Sequence, residues 1–167
     1  MTGYIFKATD LIAESFEKRG IKFSSYYFFE DDIERLQIIL HKDGIPPGAV
    51  IKFSSTDNDN DVAVRIFSLV SRTPLEKRLQ IIEECNELNR KYRFATFFCD
   101  KRGSIHMRYS FPIHTPDEGV GEMAYEIFIR YIKILNDDEY NVYLDGQSFD
   151  DKFDIMERDE FSEEQGA

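Results

Sequence analysis

Apolar positions recur along this chain with two different periods. From Ala8 to Arg19, the spacing of Leu11, Ile12 and Phe16 predicts a helix, with Thr9 or Asp10 as N-cap and Gly20 as its stop. Lys18 and Arg19 fall where the helix dipole favours cations. The pattern then changes to IKFSSYYFFE and IERLQIILHKDG, runs rich in β-branched and aromatic residues that predict two strands with Glu30, Asp31 and Asp32 at the turn. DGIPPG, residues 43–48, is a turn signal, because paired prolines cannot donate ladder hydrogen bonds. Strands are expected over Ala49–Phe53 and Val62–Val70, forming a hairpin about the acidic DNDND turn.

Thr73 as N-cap and Pro74 at the first helical position then start a helix that runs to about Lys91. On a wheel of about 100° per residue, one half carries Glu76, Lys77, Gln80, Glu83, Glu84, Glu87, Arg90 and Lys91. Leu75, Leu79, Ile81, Ile82, Cys85, Leu88 and Tyr92 share the other half, and Asn86 and Asn89 fall among them. Arg78 falls there too, but its long stem can lie along apolar surface while its charge reaches water. A buried carboxamide needs partners, since leaving it unsatisfied costs about 1–3 kcal/mol. Two readings are open: the asparagines bond to nearby backbone and fix how the helix docks, or they form the polar floor of a ligand or partner groove. YRFATFFCD, KRGS and IHMRYSFP predict a second hairpin turning at Gly103. From Pro116 or Asp117 to Asn136 the chain reads as a final helix. Its apolar residues, including Ala124, Ile127, Phe128, Tyr131, Ile132 and Leu135, cover more than one side, so packing in two directions, including a homodimer contact through Tyr131 and Ile132, is an expectation.

The order α-β-β-β-(β)-α-β-β-α, with connections too short for crossovers, predicts an α+β fold with an antiparallel sheet flanked by helices. A chain of 167 residues with 42% hydrophobic content fits one core, assigned to residues 1–136. Net charge is −11, but 1–136 carry 20 acidic and 19 basic residues, whereas 137–167 carry 12 and 2. This acidic extension disfavours nucleic acid and favours basic partners, or serves only to solubilise. Within it, Phe149, Phe153 and Met156 recur at helical spacing, with Ser148 and Asp151 as an acidic capping box, so the expectation is a short amphipathic helix that docks in cis or binds a partner, with a disordered tail as the alternative.

No leader-like start and no run of about 18 apolar residues are visible, so a soluble, cytoplasmic protein without a membrane partner is expected. Cys85 and Cys99 lack a CxxC partner and are expected to be reduced. Asp57, Asp59 and Asp61 imitate a calcium loop, but Val62 and Ser68 stand where it needs Gly and a carboxylate. His41, His106 and His114 lack metal-ligand spacing, and Gly119 and Gly121 lack the Lys of a phosphate loop, leaving helix-start flexibility as their role. No nucleophile motif is present, so no catalysis, cofactor or metal is expected.

NELNRKYRFATFFCDKRGSIHMRYSFP resembles the central motif of the YbjN family at Asn86, Asn89, Phe94, Ala95, Phe97, Asp100, Gly103 and Tyr109. The resemblance implies a fold similar to class I type III secretion chaperones, small and often dimeric proteins that bind extended client segments. It therefore implies a non-catalytic protein-binding, chaperone-like or regulatory module with an unidentified protein partner. The alternative is a small-molecule-sensing regulator with a pocket near the sheet and second helix, at Asn86 and Asn89.

Overall fold

A computed structural model describes residues 3–39, 50–56, 59–70, 74–114 and 116–135. The turn at 43–48, Thr73, His41 and the extension carrying Phe149, Phe153 and Met156 lie outside the described residues. The elements are α1 (Lys7–Glu17), β1 (Ser24–Phe28), β2 (Ile33–Ile39), β3 (Val50–Thr56), β4 (Asp61–Val70), α2 (Arg78–Lys91), β5 (Thr96–Cys99), β6 (Ile105–Pro112) and α3 (Glu118–Leu135). They build the expected α+β fold: one antiparallel sheet in the order β1-β2-β3-β4-β6-β5, with helices packed on it.

The pleat sorts the strands' side chains into two faces. Register aligns Leu36 with Phe53, Val64 and Tyr109, and aligns Ile38 with Ile51, Ile66, Met107 and Phe97. These rows belong to the core. Phe16 of α1 meets Phe53 edge to face at 5.1 Å between ring centroids, and Phe128 of α3 at 5.9 Å. Tyr131 stacks on Phe94 at 6.1 Å, and Tyr92, just after α2, reaches Phe97 at 6.0 Å. All three helices therefore bury part of their apolar surface against this face.

The opposite face is cationic. Lys52 pairs with Arg65, and Arg65 with Arg108, so three adjacent strands set cation against cation in one row. Arg35 stands on the same face, bonded through Nε to Ser54 at 2.9 Å.

Helix α1 begins at Lys7, earlier than its local sequence suggests, because its N-terminal amides are capped from the sheet. Glu34 Oε2 accepts from the Phe6 N–H at 2.7 Å, and the Ile5 N–H also points at this carboxylate, 2.9 Å from Oε1. Asp59, in the β3–β4 turn with φ of 70°, accepts from Lys7 and Ala8 at 3.1 and 2.9 Å. Carboxylates at a helix N-terminus satisfy orphan amides and complement the dipole. Thr9 is thus no cap; it is buried inside the helix and bonds to Ser55 Oγ at 2.9 Å. Asp10 likewise sits within the first turn of α1.

Helices α1 and α3 cross at Gly121. A Cβ there would stand 2.6 Å from the Leu11 carbonyl oxygen and 2.9 Å from Ser15 Cβ, so Gly121 permits close approach rather than supplying flexibility. Ser15 Oγ donates to the Gly121 carbonyl at 2.9 Å. Arg19 extends the contact, bonding Glu122 at 2.6 and 2.8 Å with its guanidinium 4.1 Å from the Tyr125 ring centre. The start of α3 follows expectation: Asp117 Oδ1 accepts from the Gly119 N–H at 2.9 Å.

Gly121→Ala is expected to lower stability by about 1–3 kcal/mol by overpacking, despite the roughly 1 kcal/mol propensity gain of Ala over Gly. Gly119→Ala, which meets only the Asp117 carboxylate at 2.9 Å, is expected to cost less than Gly121→Ala, because a side-chain oxygen can shift further than the Leu11 backbone. Urea denaturation of both variants measures the difference.

Candidate functional site

The second helix carries two apolar strips with different surroundings. A 3-10 turn over Leu75–Lys77, just after Pro74, leads into α2. Ile81, Cys85 and Leu88, spaced four and three residues apart, are buried. Leu75, Leu79 and Ile82 form the other strip and are 74%, 79% and 45% exposed. Asn86 is the next residue on that outward strip and is exposed. The wheel merges the strips into one half because it ignores what the helix packs on. Here α2 packs against β5 at the margin of the sheet, which accommodates only the inner strip.

Asn89 lies between the strips and is half-buried. Its Nδ2 donates to the Phe97 carbonyl at 3.0 Å, and its Oδ1 accepts the Phe97 N–H at 2.6 Å. Strand β5 is the sheet's last strand, so this carboxamide occupies backbone groups that an edge strand would otherwise present. The two asparagines therefore have different environments despite neighbouring each other on the helix.

After β5, Asp100 organises the hairpin turn. Its Oδ1 accepts from the Arg102 and Ser104 amides, both at 2.9 Å, and Gly103 adopts φ of 88°. Its Oδ2 lies 2.9 Å from His106 Nε2. Burial pushes the Asp100 carboxyl up. The His106 contact and the two amides outweigh burial and hold it below its ordinary range. The His106 ring lies 5.2 Å from Phe98, and the Arg108 guanidinium stands 4.9 Å from that ring's centre. These contacts order the turn between two strands.

Cys85 and Cys99 are free thiols. Burial, aided by the charges of Cys99 and Glu84, pushes Cys85 up to about 12, so it stays protonated and unreactive near neutrality. Cys99 is raised too, first by burial and then by Asp100. Among the described residues, no group of three or more His, Cys, Asp or Glu could hold a metal ion.

Of the other expected contact residues, Tyr131 is completely buried, and burial and Tyr109 raise its hydroxyl's pKa. Ile132 is half-buried against the core. An open depression of about 390 Å³ lies at the β6–α3 end, lined by residues including Phe111, Ile113, His114, Asp117, Val120 and Met123. Asn86 and Asn89 do not line it. No helix among the described residues is long and apolar enough to cross a membrane.

An antiparallel sheet backed by three helices, with an apolar helix strip left outside the core, defines an α+β protein. Residues 9–141 match the YbjN family, described as "Putative bacterial sensory transduction regulator", and the chain belongs to that family. No curated protein and no solved structure gives a significant match.

Asn89→Ala is expected to cost about 1–3 kcal/mol, because the buried end of its bond to Phe97 loses its partner. Asn86→Ala is expected to stay within about 0.5 kcal/mol, as for exposed sites without special contacts. Chemical denaturation checks both.

Proposed function

We propose that this protein is a non-catalytic regulatory module that binds another protein through the outward strip of α2, in a chaperone-like manner. The observation that carries this reading is the exposure of Leu79 and Ile82 on α2, together with Leu75 in the turn that leads into it. Scattered exposed apolar residues are common, but a helical row beside a polar rim is the form recognition surfaces take. The rim here includes Glu76, Glu83 and Asn86, all exposed. Leu79 and Ile82 stand three residues apart on α2, with Leu75 exposed in the 3-10 turn that leads into it, so an amphipathic helix from the partner fits this surface.

Small-molecule sensing at Asn86 and Asn89 has less support. Both polar ends of the Asn89 carboxamide are already bonded to Phe97, and Asn86 stands on an open surface. A regulatory role agrees with the family description, which supports the class of activity without supplying a partner.

The double variant Leu79→Ser, Ile82→Ser separates folding from binding, because both side chains are exposed. In affinity capture from native cell extract, the wild type is expected to enrich a reproducible protein partner, and the variant to lose it with its denaturation midpoint unchanged. Equal recovery by both forms would contradict binding through this strip.

A further inference from the structure

The two margins of the sheet are finished differently. At one, the Asn89 carboxamide occupies the N–H and carbonyl of Phe97, and α2 packs alongside β5. At the other, β1 pairs with β2 alone among the described strands, so alternate residues of Ser24–Phe28 turn an amide and a carbonyl away from the sheet. The usual protections of an edge are missing there. SSYYF has no charge and no proline, and its register with β2 runs from Ser24 opposite Gln37 to Phe28 opposite Ile33 without a bulge. Tyr26 and Tyr27 are exposed, and Phe29, just past the strand, is 85% exposed. The Tyr27 and Phe29 rings meet edge to face at 6.3 Å, so an aromatic cluster stands at this margin uncovered.

We propose that β1 pairs antiparallel with β1 of a second copy of this chain about a two-fold axis at Tyr26, joining two six-stranded sheets into one. Self-pairing centred on Tyr26 sets Ser24 against the partner's Phe28 and Ser25 against the partner's Tyr27, so all five residues of the strand are used. Residues of equal parity then face one another. Backbone groups turned away from β2 in one copy therefore meet those turned away in the other. Charge selects both the occupant and its direction. Lys22 precedes the strand and Glu30, Asp31 and Asp32 follow it, all of them exposed. An antiparallel copy brings Lys22 to the partner's acidic turn at both ends of the contact, whereas a parallel copy would set the two acidic turns side by side. The contact lies at the opposite margin from β5 and α2, so it is independent of partner binding through the outward strip of that helix.

Sedimentation velocity of the full-length chain reads this contact directly. An edge pairing of this size belongs with the weak interfaces, so the wild type is expected to pass from monomer to dimer between about 1 and 100 μM. Tyr26→Lys sets two like charges directly opposite each other at the axis and is expected to weaken association at least about tenfold. Its urea midpoint is expected to stay unchanged, because Tyr26 is exposed. Should that variant fail to fold, charge reversal at the exposed flanks gives a second reading. Lys22→Glu at low ionic strength is expected to weaken the dimer, and adding Glu30→Lys to restore it, since the exchanged charges again meet across the axis. A dimer that keeps its affinity in either folded single variant, or that the second charge change does not restore, would overturn the proposal. A wild type that stays monomeric at about 100 μM would leave the edge to a strand from a different protein and would overturn self-pairing.

Discussion

The alternation of side chains across a pleated sheet is the constraint on which the rest of this structure depends. Because register aligns Leu36, Phe53, Val64 and Tyr109 in one row and Ile38, Ile51, Ile66, Met107 and Phe97 in the next, one face is apolar across most of the sheet. A shift of one residue in any strand would send its apolar set to the other side. That face must be covered, and α1, α2 and α3 cover it. The same alternation obliges Lys52, Arg65 and Arg108 to share the opposite side, so core formation and the cationic row have one cause.

The order of elements is legible because its signals are local. Helical spacing marked α1, and Pro74 marked the entry to α2. Asp117 marked the start of α3, and Gly103 the second hairpin turn. Features that depend on residues distant in sequence are not visible in this way. The caps of α1 come from Glu34 and Asp59, brought to the helix by the sheet, so Thr9 and Asp10 offered a plausible local cap that the fold does not use. Gly121 looks like a flexible helix start until α1 is placed against it, when the Leu11 carbonyl and Ser15 leave no room for a side chain.

The candidate site was partly legible for the same reason. Sequence spacing identified an amphipathic α2 and singled out two asparagines, but a wheel carries no information about how much of a helix its neighbours cover. Packing against a marginal strand buries Ile81, Cys85 and Leu88 and leaves Leu75, Leu79 and Ile82 outside. Asn89 then ties the helix to β5, while Asn86 continues the outward row. The strip that packs into the core and the strip proposed for recognition thus reside on one helix, about a third of a turn apart.

This division of α2 is tested most directly by comparing Leu88→Ala with Leu79→Ala in equilibrium urea denaturation. Leu88 is completely buried, so its truncation is expected to cost about 2–5 kcal/mol, as for leucines in packed cores. Leu79 is 79% exposed, and its truncation is expected to change stability by no more than about 0.5 kcal/mol. A comparable loss from both substitutions would mean that the outward strip supports the fold, and would contradict its assignment as a surface held open for a partner.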